Sequence, residues 1–128
     1  MSAGNYTITI CQGTDYKLLL TIVDENSSPI DITGYTFTGQ FRAYVSSPDI
    51  VASFSFSVLN QVTNTGEVEV SLSNATSTAI VLPVQKTIDR TNVKFPYDIE
   101  SNNGGVIQRW LQGVVELSPE VTRWVIQQ

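Results

Sequence analysis

Apolar and polar residues alternate with a period of two along most of the 128-residue chain, which is the repeat of a strand with one buried face. Residues 6–11 put Tyr6, Ile8 and Ile10 on one face and Thr7 and Thr9 on the other. Residues 16–23 gather Leu18, Leu20 and Ile22; Leu19 lies opposite among Lys17, Thr21 and Val23, on a face predicted to be partly covered. In residues 35–45, Tyr35, Phe37, Phe41, Ala43 and Val45 alternate with Thr36, Thr38, Gln40, Arg42 and Tyr44. Gly39 falls on the apolar face of that run and marks a bulge or a close backbone approach. Residues 50–59 read as one strand with Ala52, Phe54, Phe56 and Val58 inward, and residues 67–72 alternate without exception. Residues 94–101 carry Phe95, Tyr97 and Ile99, and Pro96 predicts an edge position or a strand start because proline has no N–H to donate. Residues 106–117 carry apolar side chains on both faces, Val106 and Trp110 on one and Ile107, Leu111, Val115 and Leu117 on the other.

Turn residues separate these runs. Gln12-Gly13-Thr14-Asp15, Asp24 through Pro29, and Ser46-Ser47-Pro48-Asp49 supply side-chain-to-backbone bonds or a fixed φ. Asn102-Asn103-Gly104-Gly105 is a hairpin signal, since Asn and Gly accept the positive φ of tight turns. Ser73 or Asn74 is placed to cap a short helical turn, without the acidic residue usual three positions later, and Pro83 would end it. Residues 84–93 read as a loop with a strand start. The predicted architecture is all-β: one immunoglobulin-like antiparallel sandwich of about seven strands with one short helical turn. It fills residues 1–128 as a single domain, with residues 1–5 as an N-terminal arm and 119–128 as a C-terminal tail.

Composition narrows the chemistry. Charged residues make up only 15%, and Ser and Thr fill the gap, which suits exposed strand faces or a surface covered by partners. The net charge is −5 and the basic residues are scattered, so neither nucleic acid nor, for want of an apolar span, a membrane is expected as a partner. No stretch approaches the length of a membrane-spanning helix, and the N-terminus lacks the basic start and apolar run of a signal peptide. The single cysteine, Cys11, excludes an intrachain disulfide and is expected to be a small buried hydrophobe.

There is no histidine, which removes the commonest general base and transition-metal ligand. Carboxylates remain: Glu67 with Glu69 and Asp98 with Glu100 share strand faces, an arrangement expected of a solvated sheet. Asp24, Glu25, Asn26 and Asp31 hold oxygen ligands of the type calcium takes, but their spacing matches no calcium loop and reads as a turn. No catalytic residue, cofactor site or metal site is expected, and the chain is not expected to be an enzyme.

Several segments in fixed order carry a resemblance. They are Gln12-Gly13-Thr14-Asp15 followed by Leu18 through Asp24, Pro29-Ile30-Asp31-Ile32-Thr33-Gly34-Tyr35, and Gln40-Phe41-Arg42. Gly66 through Ser73, Tyr97-Asp98-Ile99-Glu100, Arg109 through Gly113 and Val115 through Arg123 continue the series. The chain resembles small tail and virion proteins of bacteriophages, in particular the amino-terminal sandwich modules of siphophage baseplate and tail-fibre proteins. Trp124 to Gln128 extend beyond that pattern, residues 84–93 look longer than its corresponding link, and these 128 residues are not expected to make a complete fibre by themselves.

The resemblance implies a non-enzymatic virion structural protein, assembled in the host cytoplasm. The leading expectation is a tail or baseplate component, a homo-oligomer bound to other virion proteins. The alternative is a capsid decoration (cement) protein bound to the major capsid protein. A remoter alternative is a carbohydrate-binding module, which would need an aromatic platform for which Tyr44, Trp110 and Tyr97 are the candidates. The residues expected to make contacts are Met1, Ser2, Ala3, Gly4 and Asn5 at one end and Trp124, Val125, Ile126, Gln127 and Gln128 at the other. Trp124 with Val125 and Ile126 either folds back onto the sandwich or meets a neighbour, since Trp is common at interface hot spots.

Overall fold

A computed structural model describes residues 3–82 and 92–122. Within them the chain forms nine strands and one short helix: β1 (Gly4–Asn5), β2 (Ile8–Cys11), β3 (Tyr16–Thr21), β4 (Thr36–Phe41), β5 (Ala52–Ser53), β6 (Ser55–Val58), β7 (Glu67–Leu72), α1 (Asn74–Thr78), β8 (Val93–Asn103) and β9 (Val106–Ser118). They build the expected all-β sandwich-like fold. A six-stranded sheet runs β1-β9-β8-β4-β5, with β2 also on β9, and a three-stranded sheet runs β3-β7-β6. All pairings are antiparallel except those of β1 and β2 with β9, which are parallel.

The core follows from the alternation. Ile8, Ile10, Phe41, Phe54, Val70, Leu72, Phe95, Tyr97, Ile99, Val115 and Leu117 belong to one buried cluster. Phe41 lies 5.5 Å from Phe95 and 5.6 Å from Phe54, ring centre to ring centre, and Phe54 meets Tyr97 edge-on at 6.2 Å. Each such side chain withdrawn from water contributes roughly 1.5–3 kcal/mol. A smaller cluster of Ile22, Ile32 and Val68 is covered by Tyr35, Phe37, Phe56 and Trp110.

The predicted hairpin forms as a two-residue turn. Asn103 pairs with Val106, and Gly104 and Gly105 take φ of 58° and 92°. Both are positive, as the right-handed twist of the flanking strands requires. Ser73 caps α1, its hydroxyl accepting from the Thr76 N–H at 3.2 Å. The helix holds the turn between β2 and β3: Gly13 N–H donates to the buried Ser77 Oγ at 2.9 Å, and Asn74 N–H to Asp15 Oδ1 at 2.7 Å.

Six expectations need correction. Pro96 sits in β8, which is interior, between β4 and β9. It is tolerated because its polar edge faces the end of β4. The Arg42 N–H reaches Pro96 O at 3.1 Å, the return bond has no donor, and β4 stops at Phe41. Ala43 and Val45 consequently lie past the strand in an exposed loop rather than on the core face.

Residues 50–59 are not one strand. The chain leaves the larger sheet after Ser53 and joins the smaller at Ser55, with buried Phe54 at the crossing, and Val58 ends up exposed. Cys11 is exposed, because in β2 the period of two that buries Ile8 and Ile10 turns Cys11 outward. Leu19 is 53% exposed, since nothing among the described residues lies over the outer face of β3. Tyr6 leaves the face of Ile8 and Ile10 at the break between β1 and β2 and is exposed.

The apolar residues on both faces of β9 fall into two groups: Val106 and Ile107, beside the hairpin turn, are both exposed, whereas Trp110 and Leu111, consecutive in sequence, both pack against the core clusters. The register with β8 shifts between Ile99 and Glu100: Ile99 faces Leu111, whereas Glu100 faces Arg109. Trp110 is the extra residue of a β-bulge, and the inward parity switches there. Gly39 is the close approach and not a bulge: a Cβ there would stand 2.9 Å from Phe56, 3.0 Å from Ile99 and 3.2 Å from Phe54.

Candidate functional site

The outer face of the six-stranded sheet carries a shallow cleft of about 360 Å³. Its lining comes from β1, β4, β8 and β9, and from the segment after β4, which contributes Arg42 and Val45. Register builds the floor. Asn5 stands opposite Gln112, Gln112 opposite Asp98, and Asp98 opposite Gln40. Directly paired residues share a sheet face, so these four polar side chains line up across four neighbouring strands.

Two arginines flank that line and differ in their partners. Arg109 Nε lies 3.5 Å from both Asp98 Oδ2 and Glu100 Oε2, and its Nη1 donates to Gln112 Oε1 at 3.2 Å. Arg42 is bound by neutral oxygens. Its Nη1 donates to Ser47 O at 3.0 Å and its Nη2 to Gln40 Oε1 at 2.9 Å. The first of these bonds holds the loop after β4 against the sheet, so that Val45 forms one wall of the cleft.

Gly113 and Pro96 complete the floor. Gly113 takes φ 151°, and a Cβ there would lie 2.4 Å from Tyr6 O. The N-terminal segment, which runs along the edge of β9 from β1 to β2, therefore comes closest at the one position of β9 without a side chain. Tyr97 donates its hydroxyl to Tyr6 O at 2.6 Å across the same gap. Burial, then the neighbouring Tyr16 and Tyr6 phenols, push the Tyr97 phenol far above its ordinary value.

The carboxylates singled out in the sequence have local partners. Glu69 lies 4.0 Å from Lys17, Glu67 accepts from Asn64 Nδ2 at 3.0 Å, and Asp98 and Glu100 share Arg109. Asp24 Oδ1 accepts the N–H groups of Asn26 and Ser28, closing a turn. Asp31 accepts from the Thr33 hydroxyl and N–H, which lower its pKa in that order of effect. Among the described residues no three His, Cys, Asp or Glu side chains gather in a metal-binding group, and no helix is long and apolar enough to cross a membrane.

Of the residues expected to make contacts, Met1 and Ser2, and Trp124, Val125, Ile126, Gln127 and Gln128, lie outside the described residues. Residues 84–91 of the predicted loop, and Pro83, also lie outside them. Ala3 is half-buried, and Gly4 and Asn5 are strand β1, paired with Leu111 and Gln112. The inner end of the predicted arm is thus part of the sheet. The aromatic platform does not form: Tyr97 is buried, Trp110 packs on the smaller core cluster, and Tyr44 stands alone of the three in an exposed loop.

Sequence reasoning missed the cleft. Asn5, Gln40, Asp98 and Gln112 are each ordinary polar positions on an outer strand face, and only the register places them side by side. No model of a known protein family matches the chain, and no curated protein matches it.

Proposed function

We propose that the chain is a non-enzymatic structural protein of a bacteriophage virion, a tail or baseplate component that binds other virion proteins and copies of itself. The sequence resemblance supports this reading, and one structural observation carries it: the open edge of the smaller sheet. β3 ends that sheet with its outer backbone edge unpaired among the described residues, and Leu19 at its centre is 53% exposed. Lys17 is the only charged residue in the strand. Monomeric proteins usually shorten, charge or cover such edges. A partner strand laid along β3 would take up its free N–H and C=O groups and cover Leu19.

Mass spectrometry of purified particles from the phage that encodes the chain tests the reading. The expected result is the chain in fixed stoichiometry, with loss of a folded Leu19→Lys variant from the particles. Absence of the unaltered chain from purified particles overturns it.

A further inference from the structure

The line Asn5–Gln112–Asp98–Gln40 crosses three strand spacings, about 14 Å at ~4.8 Å each. Three of its members are amides, and each amide both donates and accepts hydrogen bonds. The cleft along it, at about 360 Å³, falls near the lower end of small-molecule sites.

Charge refines the picture. Asp98 is balanced by Arg109, and Arg109 by Asp98 and Glu100. Arg42 makes no ion pair among the described residues, although the chain as a whole carries −5. Two of its five N–H donors are used by Ser47 O and Gln40 Oε1, leaving others free for a ligand.

We propose that this cleft binds a short acidic oligosaccharide lying across the strands, its hydroxyls on the amide line and a carboxylate on Arg42. Hydroxyls donate and accept as the amides do, and a carboxylate is the planar partner that a guanidinium fork fits. An extended peptide is a poorer match, because main-chain recognition needs an open edge and the backbone groups of β8 and β9 are already spent within the sheet. A polyphosphate is poorer still, since one unbalanced arginine beside Asp98 is no phosphate track. This site is independent of the β3 edge and of the virion reading.

The experiment presents the full purified chain to an array of acidic and neutral oligosaccharides and follows the best binder by ¹⁵N-resolved NMR. The expected result is retention of uronic-acid glycans over neutral ones, with the side-chain amide signals of Asn5, Gln40 and Gln112 shifting on titration. Arg42→Gln and Gln40→Ala should each weaken binding about tenfold, the scale of one hydrogen bond to a charged group. Leu19→Lys, on the other sheet, should bind as the unaltered chain does. Failure of every acidic glycan to bind overturns the proposal. So does equal binding of neutral glycans, or undiminished binding by a folded Gln40→Ala variant.

Discussion

Trp110 Nε1–H donates to the Ser101 hydroxyl at 2.8 Å, joining the extra residue of the β9 bulge to a buried polar position on β8. The bond explains how a hydroxyl is accommodated at 2% exposure on the core face, and why the bulge residue carries an indole. Ser101→Ala should destabilise the fold by about 1–3 kcal/mol, because the indole N–H loses its acceptor. Urea unfolding followed by tryptophan fluorescence measures this, and a change under half a kcal/mol would count against the bond. Trp110→Phe together with Ser101→Ala should cost less than the sum of the two single changes.

Gly113 governs the attachment of the first strand. A side chain there would meet Tyr6 O at 2.4 Å and would adopt a φ that L residues disfavour. Gly113→Ala should loosen β1 from β9 while β8 and β9 remain paired. Hydrogen exchange reads this directly: the Tyr6 N–H, bonded to Gln112 O at 3.0 Å, should lose protection well before the amides of β8.

Gly39→Ala tests the packing of the opposite flank. The added methyl would press on Phe54, Phe56 and Ile99 together, where the chain crosses between sheets. Overpacking of this type costs about 1–3 kcal/mol. Thermal unfolding should show a lower midpoint, and an unchanged midpoint would mean that the Phe56 ring yields freely.

Tyr97 sets an alkaline limit. Its folded pKa is raised above the ordinary value of 10.0 by burial and by the Tyr16 and Tyr6 phenols. Its contribution to stability is therefore complete below pH 10 and is lost as pH rises from there toward the folded pKa. Tyr16 is shifted the same way by burial. Absorbance titration should show phenol ionisation delayed past that of free tyrosine, coinciding with unfolding. Tyr97→Phe should flatten the dependence of stability on pH above 10.

Much of the fold was legible in the residues. The alternation through Glu67–Leu72, the glycines of the β8–β9 turn and the Ser73 cap each act through local geometry, and each forms as read. The misreadings share a different cause. Period two tells which side chains are alike, not which sheet receives them, so the crossing at Phe54 looked like continuous strand. The bulge at Trp110 inverts parity partway along β9, so Trp110 and Leu111, which both pack inward, read as opposite faces. Pro96 was expected at an edge because a single sequence does not show toward which neighbour its missing N–H would have pointed. The polar line of the cleft depends wholly on register between residues as far apart as Asn5 and Gln112.

The pairing of the first strands with the last has a consequence for synthesis. Ile8 and Ile10 lie beside Val115 and Leu117, so they leave the ribosome about a hundred residues before their partners exist. At translation speeds of ~5–20 residues per second that is a wait of roughly 5–20 s. Throughout it the nascent chain holds two bare isoleucines and the open β3 edge. Slowing elongation lengthens that exposure and should raise the insoluble fraction without altering the finished protein.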